Sequence, residues 1–191
     1  MLFLGALILT YTGFYLMVSF FLFVGVLLAG RTSSGETPSV SILIPARNEE
    51  DKIEGCLKAV LSQDYPDELM EVIVVDDRST DGTAQIVSRI ASKTRRLKLV
   101  EVSYKPPGLT GKQNALDEGL KFCGGEIILN TDADCVVSHG WVRSMVRYFG
   151  NEVGMVMGFT LIRSTEISLG DMIYSLDMLF LLNAAAGAAG L

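Results

Sequence analysis

Residues 71–83 read EVIVVDDRSTDGT, and this stretch decides the fold. Its first apolar run, residues 72–75 (VIVV), lacks the polar alternation of a strand with one wet face. Such a strand is buried on both faces, as parallel strands are. Two carboxylates, Asp76 and Asp77, follow at once. Thr80, Asp81 and Gly82 then open a helix whose Ile86, Val87 and Ile90 point inward. The stretch predicts a β-strand whose carboxyl end is charged and leads straight into a helix.

The same pattern recurs on both sides. Upstream, residues 40–44 (VSILI) form a strand ended by Pro45, and Asn48, Glu49 and Glu50 are placed to open a helix. Ile53, Cys56, Leu57, Val60 and Leu61 then fall at the spacing of one buried helical face. Downstream, residues 97–102 make a third strand, and a Pro/Gly loop covers 106–111. Ala115, Leu116, Gly119 and Leu120 mark a helix, residues 126–129 a fourth strand, 141–149 a helix and 153–162 a fifth strand. Strands alternating with helices mean βαβ units and an α/β sheet. In such sheets ligands bind at the carboxyl ends of the strands.

Three strand ends carry the chemistry. Strand one delivers Pro45, Ala46, Arg47, Asn48 and Glu49; strand two delivers Asp76 and Asp77; strand four runs into Thr131, Asp132, Ala133 and Asp134. Two aspartates two positions apart can aim oxygens at one point, and Mg²⁺ and Mn²⁺ prefer such ligands while keeping waters and substrate phosphates. An acidic rim repels a bare diphosphate, so a diphosphate ligand there needs a bridging cation.

VSILIPARNEE (40–50), EVIVVDDRSTDGT (71–83), GKQNALDEGL (111–120) and GEIILNTDAD (125–134) stand in that order at domain-like spacing. Together they resemble family 2 glycosyltransferases with the GT-A fold. That fold is a three-layer α/β/α, mostly parallel sheet, and the resemblance runs over about residues 38–162. It implies a pocket for a nucleotide-sugar donor. Pro45, Arg47 and Glu49 would line base and ribose, and Val75 and Asp77 would contact the base. Lys112 would lie near the nucleotide or its diphosphate. Asp132, Ala133 and Asp134 are similar to the family's DxD, with Asp134 the main ligand of Mg or Mn and Asp132 on ribose or metal. The reaction implied is inverting transfer to a lipid or glycan acceptor. The family's general base belongs to an acidic motif well downstream, and only 57 residues follow Asp134. The resemblance therefore implies a base beyond Leu191 and a chain that is a fragment of a longer enzyme. Two other readings stand beside it: a donor-binding subunit that does not transfer, and a haloacid-dehalogenase-type phosphatase, whose DxDx[TV] signature residues 132–136 partly match.

Composition sets the surroundings. The first 30 of 191 residues contain no charge, whereas the rest are about 24% charged, near the ~25% of soluble domains. Residues 2–29 as a helix would run about 42 Å, enough to cross a ~30 Å hydrocarbon core. No basic leader precedes the run, so a retained anchor over 1–30 is expected rather than a cleaved signal. Arg31 on its far side places the globular part in the cytoplasm. Residues 31–38 read as a linker, 39–165 as the nucleotide-sugar domain, and 166–191 as a membrane-proximal helix. The net charge of −6 argues against a nucleic-acid partner. Three cysteines (Cys56, Cys123, Cys135) at unrelated spacings make neither a disulfide framework nor a CxxC metal pair. Cys135 reads as a small buried residue, His139 as a loop or cap residue, and Trp141 as a helix-face core or membrane-near aromatic.

Overall fold

The computed structural model of the protein describes residues 2–28, 37–150 and 153–158. Residues 37–150 fall within one compact unit, centred on a four-stranded parallel sheet whose strands lie side by side in the order Leu97–Glu101, Met70–Asp76, Val40–Ala46, Ile127–Asn130. The strands are β1 (Val40–Ala46), β2 (Met70–Asp76), β3 (Leu97–Glu101) and β4 (Ile127–Asn130). The double-sided burial expected of residues 72–75 is observed, since Val72, Ile73, Val74 and Val75 are all fully buried. Burying a side chain of that size stabilises the fold by about 1.5–3 kcal/mol relative to leaving it exposed.

Strand alternation then sorts the core into two layers. Ile42, Ile44, Val72 and Val74 pack with Ile53, Leu57 and Val60 of α2 (Ile53–Leu61), Val87 of α3 (Thr83–Ala91) and Val142 of α5 (Trp141–Val146). Leu43, Ile73 and Val75 face the other way, onto Ala115 of α4 (Gly111–Leu120). The chain steps outward from β1 to β2 and β3, then crosses back to set β4 on the far side of β1. That reversal opens a crevice at the carboxyl ends of β1 and β4, where ligands of open α/β sheets bind.

Several local readings are corrected. Strand β1 runs through Pro45 to Ala46. Helix α2 begins at Ile53 with Lys52 as its N-cap, not at Asn48. Asn48 takes a left-handed φ of 55°, a conformation asparagine tolerates better than most residues. On α4 the buried positions are Asn114, Ala115 and Gly119, while Leu120 is 47% exposed. The smallest residues of that helix face the sheet because α4 lies too close for leucine there. Residues 153–158 form no strand; Gly154 and Gly158 weaken one, having no side chain to pack. Residues 159–162 of that expected strand, residues 31–36 of the linker and the expected helix over 166–191 lie outside the described residues.

The N-terminal apolar run is one continuous helix, α1 (Leu2–Leu28). Its side chains are described chiefly for residues 9–21, a stretch of about 20 Å. Among the described residues no helix is long and apolar enough to cross a membrane.

Candidate functional site

The carboxyl ends of β1 and β2 are fastened to each other. Asn48 N–H donates to Ser79 Oγ at 3.0 Å, and Thr80 N–H donates back to Asn48 Oδ1 at 2.8 Å. Glu49 N–H donates to Thr83 Oγ1 at 2.8 Å and Glu50 N–H to Asp81 Oδ2 at 3.2 Å. Gly82 N–H donates to Glu50 Oε2 at 2.6 Å. These bonds fix the backbone that presents Arg47 and Glu49.

Asp81 is the hub of this clamp. Its carboxylate accepts from the Thr83 hydroxyl and N–H and from Glu50 N–H. Donation by the Thr83 hydroxyl, and then by these N–H groups, holds its pKa below the ordinary 3.8. A depressed carboxylate stabilises the fold above its unfolded-state pKa and loses that contribution as pH falls through the folded value. Asp81→Asn is therefore expected to be less stable than the parent at neutral pH, with the deficit closing as pH falls below about 3.8. Paired urea melts at pH 7 and pH 3 measure this; a deficit that persists undiminished at pH 3 contradicts it.

Above the clamp is an open cleft of about 380 Å³. Strand β1 and its loop supply Pro45, Ala46, Arg47 and Glu49, and β2 supplies Asp77. The start of α4 supplies Gly111, Lys112 and Ala115, and the turn after β4 supplies Asp132, Ala133 and Asp134. Every residue that the family resemblance assigns to the donor pocket lines this cleft except Val75. That valine is fully buried and packs with Leu43 and Ala115 beneath α4.

Asp77 sits at the cleft floor with its side chain 4% exposed. One oxygen pairs with Arg78 at 2.7 Å and the other faces Arg47 at 3.6 Å. Arg78 reaches back to it from a left-handed backbone, φ 58°. Gly111 lies against Asp77 so closely that a Cβ there would stand 2.2 Å from Oδ2. Only glycine leaves that carboxylate where it is, a role that the Pro/Gly loop reading of residues 106–111 does not give it. The signal was present: Thr110 and Gln113 form a reciprocal capping box, the T-x-x-Q pattern that marks a helix start.

Asp132 and Asp134 are about half exposed, and each meets an ammonium group. Lys112 Nζ lies 2.6 Å from Asp132, and Lys52 Nζ lies 3.9 Å from Asp134 and 3.8 Å from Glu49. Among the described residues no group of three or more His, Cys, Asp or Glu side chains could hold a metal by itself. Two hard oxygen donors open to a cleft instead fit a cation that fills its shell with water and substrate phosphate.

Around the turn, Cys135 N–H and Cys56 S–H both donate to the Asp132 carbonyl, at 3.1 and 3.5 Å. Burial pushes the Cys56 thiol up to about 12. Cys135, expected to be buried, is partly exposed, and its thiol is also raised, by burial and then by Asp134. Neither is a nucleophile at neutral pH. Gln63 pins the segment that follows, donating to Ala59 and Ser138 carbonyls and accepting from Val142 N–H. His139 contacts the Ser62 carbonyl, so it is a loop pin, and Trp141 packs on the core.

A family model described as "Glycosyl transferase family 2" matches residues 41–179. The chain is 42% identical over 104 residues to the probable glycosyltransferase YdaM of Bacillus subtilis, covering 54% of this chain and 24% of that protein. It is 38% identical over 123 residues to a beta-monoglucosyldiacylglycerol synthase of Nostoc sp., covering 64% of this chain and 26% of the relative. The match thus spans about a quarter of the length of either relative. Among solved structures, the mannosyltransferase PcManGT of Pyrobaculum calidifontis in complex with GDP-Man and Mn²⁺ superposes with a TM-score of 0.62. The identity is 28%, covering 77% of this chain and 44% of that one. A parallel sheet with this crevice, the motifs that line it and a family match over most of the sequence lead to one conclusion: the chain belongs to glycosyltransferase family 2, with the GT-A α/β fold.

Proposed function

We propose that this chain is the donor-binding part of a membrane-bound inverting glycosyltransferase that moves a sugar from a UDP- or GDP-sugar to a lipid or glycan acceptor. The observation that carries the reading is the meeting of Arg47, Asp77, Lys112 and the Asp132–Ala133–Asp134 turn in one cleft. The GDP-Man and Mn²⁺ bound by PcManGT support a nucleotide-sugar donor with a divalent cation. The name of the Nostoc relative, a glycolipid synthase, supports a lipid acceptor. The 27-residue helix α1, which contains no charged residue, supports an anchor, and Arg31 after it supports a cytoplasmic globular part. Family membership displaces the phosphatase reading of residues 132–136.

In this mechanism Pro45, Arg47 and Glu49 line the base and ribose. Asp77 accepts from the N–H edge of the base, its direction held by Arg78 and by the absence of a side chain at Gly111. Val75 acts from the core, fixing the strand that leads to Asp77. Lys112 turns toward the diphosphate and offsets the negative charge that grows as the sugar departs. Asp134 and Asp132 would hold Mg²⁺ or Mn²⁺, which supplies Lewis-acid stabilisation of the leaving diphosphate. The acceptor hydroxyl needs a general base on the opposite face of the sugar. Every carboxylate that lines the cleft belongs to a donor motif, so none of them is assigned as that base. The same observation favours a second reading, a subunit that binds the donor without transferring it.

Titration of the detergent-solubilised chain with UDP and GDP tests the reading. One nucleotide is expected to bind in Mn²⁺ and to be released by EDTA. No binding by a folded sample sinks the donor-site reading. Sugar transfer to membrane lipid separates an enzyme from a binding subunit.

A further inference from the structure

Lys52 belongs to none of the motifs above and does not line the cleft, yet its ammonium stands between two cleft carboxylates. It is 3.8 Å from Glu49 Oε2 and 3.9 Å from Asp134 Oδ2. Its backbone is fixed as the N-cap of α2, with Lys52 N–H donating to the Glu49 carbonyl and Cys56 N–H to the Lys52 carbonyl. The other aspartate of the turn has its own lysine, since Lys112 meets Asp132 at 2.6 Å. Each carboxylate of Asp132–Ala133–Asp134 thus faces one ammonium group, one from the N-cap of α2 and the other from α4.

We infer that Lys52 is a further donor-site residue, a resident counter-ion that makes cation binding at Asp134 depend on the nucleoside diphosphate. The inference rests on the donor-binding reading above. With the cleft open, a divalent cation that approaches Asp134 must displace Lys52 and leave its ammonium beside a metal ion of like charge. When a diphosphate enters with the cation, its oxygens accept the displaced ammonium and the penalty becomes an attraction. Lys52 therefore opposes metal alone and favours metal with diphosphate. Its side chain is 59% exposed, so the effect has the size of a solvated ion pair, about two- to fivefold on an equilibrium.

The test is a binding cycle on the full chain: Mn²⁺ alone, then Mn²⁺ at saturating GDP or UDP, followed by the electron paramagnetic resonance of free Mn²⁺. Lys52→Met is expected to bind Mn²⁺ alone about threefold tighter and Mn²⁺ with nucleotide about threefold weaker. Lys52→Arg, which keeps the charge, is expected to restore the parent's coupling. A lysine that merely supported α2 would not tighten metal binding when removed. If the parent binds Mn²⁺ and nucleotide but Lys52→Met binds Mn²⁺ alone no tighter, the inference is overturned while the donor site stands. If the folded parent binds neither, the donor-site reading fails and this inference with it.

Discussion

Asp134→Ala is expected to abolish metal-dependent nucleotide binding, lowering the affinity for GDP or UDP in Mn²⁺ by about a hundredfold or more and leaving EDTA without effect. The proposed cation has two protein ligands, Asp134 and Asp132, and among the described residues no group of three or more His, Cys, Asp or Glu side chains could hold a metal. Loss of groups that merely support a metal ligand costs about 10–100-fold, so loss of a ligand from so small a set costs at least the upper figure. The fold is expected to survive. Asp134 is about half exposed, and its contacts are Lys52 at 3.9 Å and the Cys135 thiol at 3.7 Å. Substitutions at such positions change stability by about 0.5 kcal/mol or less. Calorimetric titration of parent and variant, each with and without EDTA, measures the effect. A variant that keeps EDTA-sensitive nucleotide binding removes Asp134 from the metal site.

The site was legible because its chemistry is local in sequence and its convergence is topological. Three strand ends carry their polar residues immediately after apolar runs, and parallel strands bring such ends to one rim. What escaped reading depends on distance across the fold. Lys52 looks like an ordinary surface lysine at the start of α2, and only its reach toward Asp134 gives it a role. Gly111 looks like loop punctuation until Asp77 is found against it. Residue type predicts Asn48 as a helix cap, but its oxygen accepts from Thr80 of the neighbouring loop. The competing partner was 32 residues away, beyond any local rule. The expected fifth strand is absent over residues 153–158, because an apolar run alone does not distinguish a strand from irregular chain.

Helix α4 shows the same limit in the core, and two glycines give it a sharp test. Period alone places Leu116 and Leu120 inward with Ala115 and Gly119; Gly119 does face the sheet, but Leu120 is turned outward. A Cβ at Gly119 would stand 2.4 Å from Leu43 Cδ1 and 2.6 Å from Val75 Cγ2. Both neighbours are locked in the sheet, at 1% and 0% exposure, so neither can retreat. Gly119→Ala gains about 0.5–1 kcal/mol from chain entropy in the helix. It loses about 1–3 kcal/mol to overpacking, so the net expectation is destabilisation by about 1 kcal/mol. Gly119→Leu adds three more carbons with no void to take them, forces α4 off the sheet and is expected to lose about 3 kcal/mol. Gly55 is the opposite case, an exposed glycine inside α2 where an added Cβ meets nothing within 4 Å. Gly55→Ala is expected to stabilise by about 0.5–1 kcal/mol. Urea melts of the three variants therefore separate in sign as well as size, with the midpoint of Gly119→Leu falling by about 1–3 M. Because α4 also carries Gly111 and Lys112 into the cleft, lifting it should weaken nucleotide binding in Gly119→Leu even where the protein remains folded. A Gly119→Leu protein as stable as the parent, with unchanged nucleotide affinity, contradicts the close seating of α4 on Leu43 and Val75.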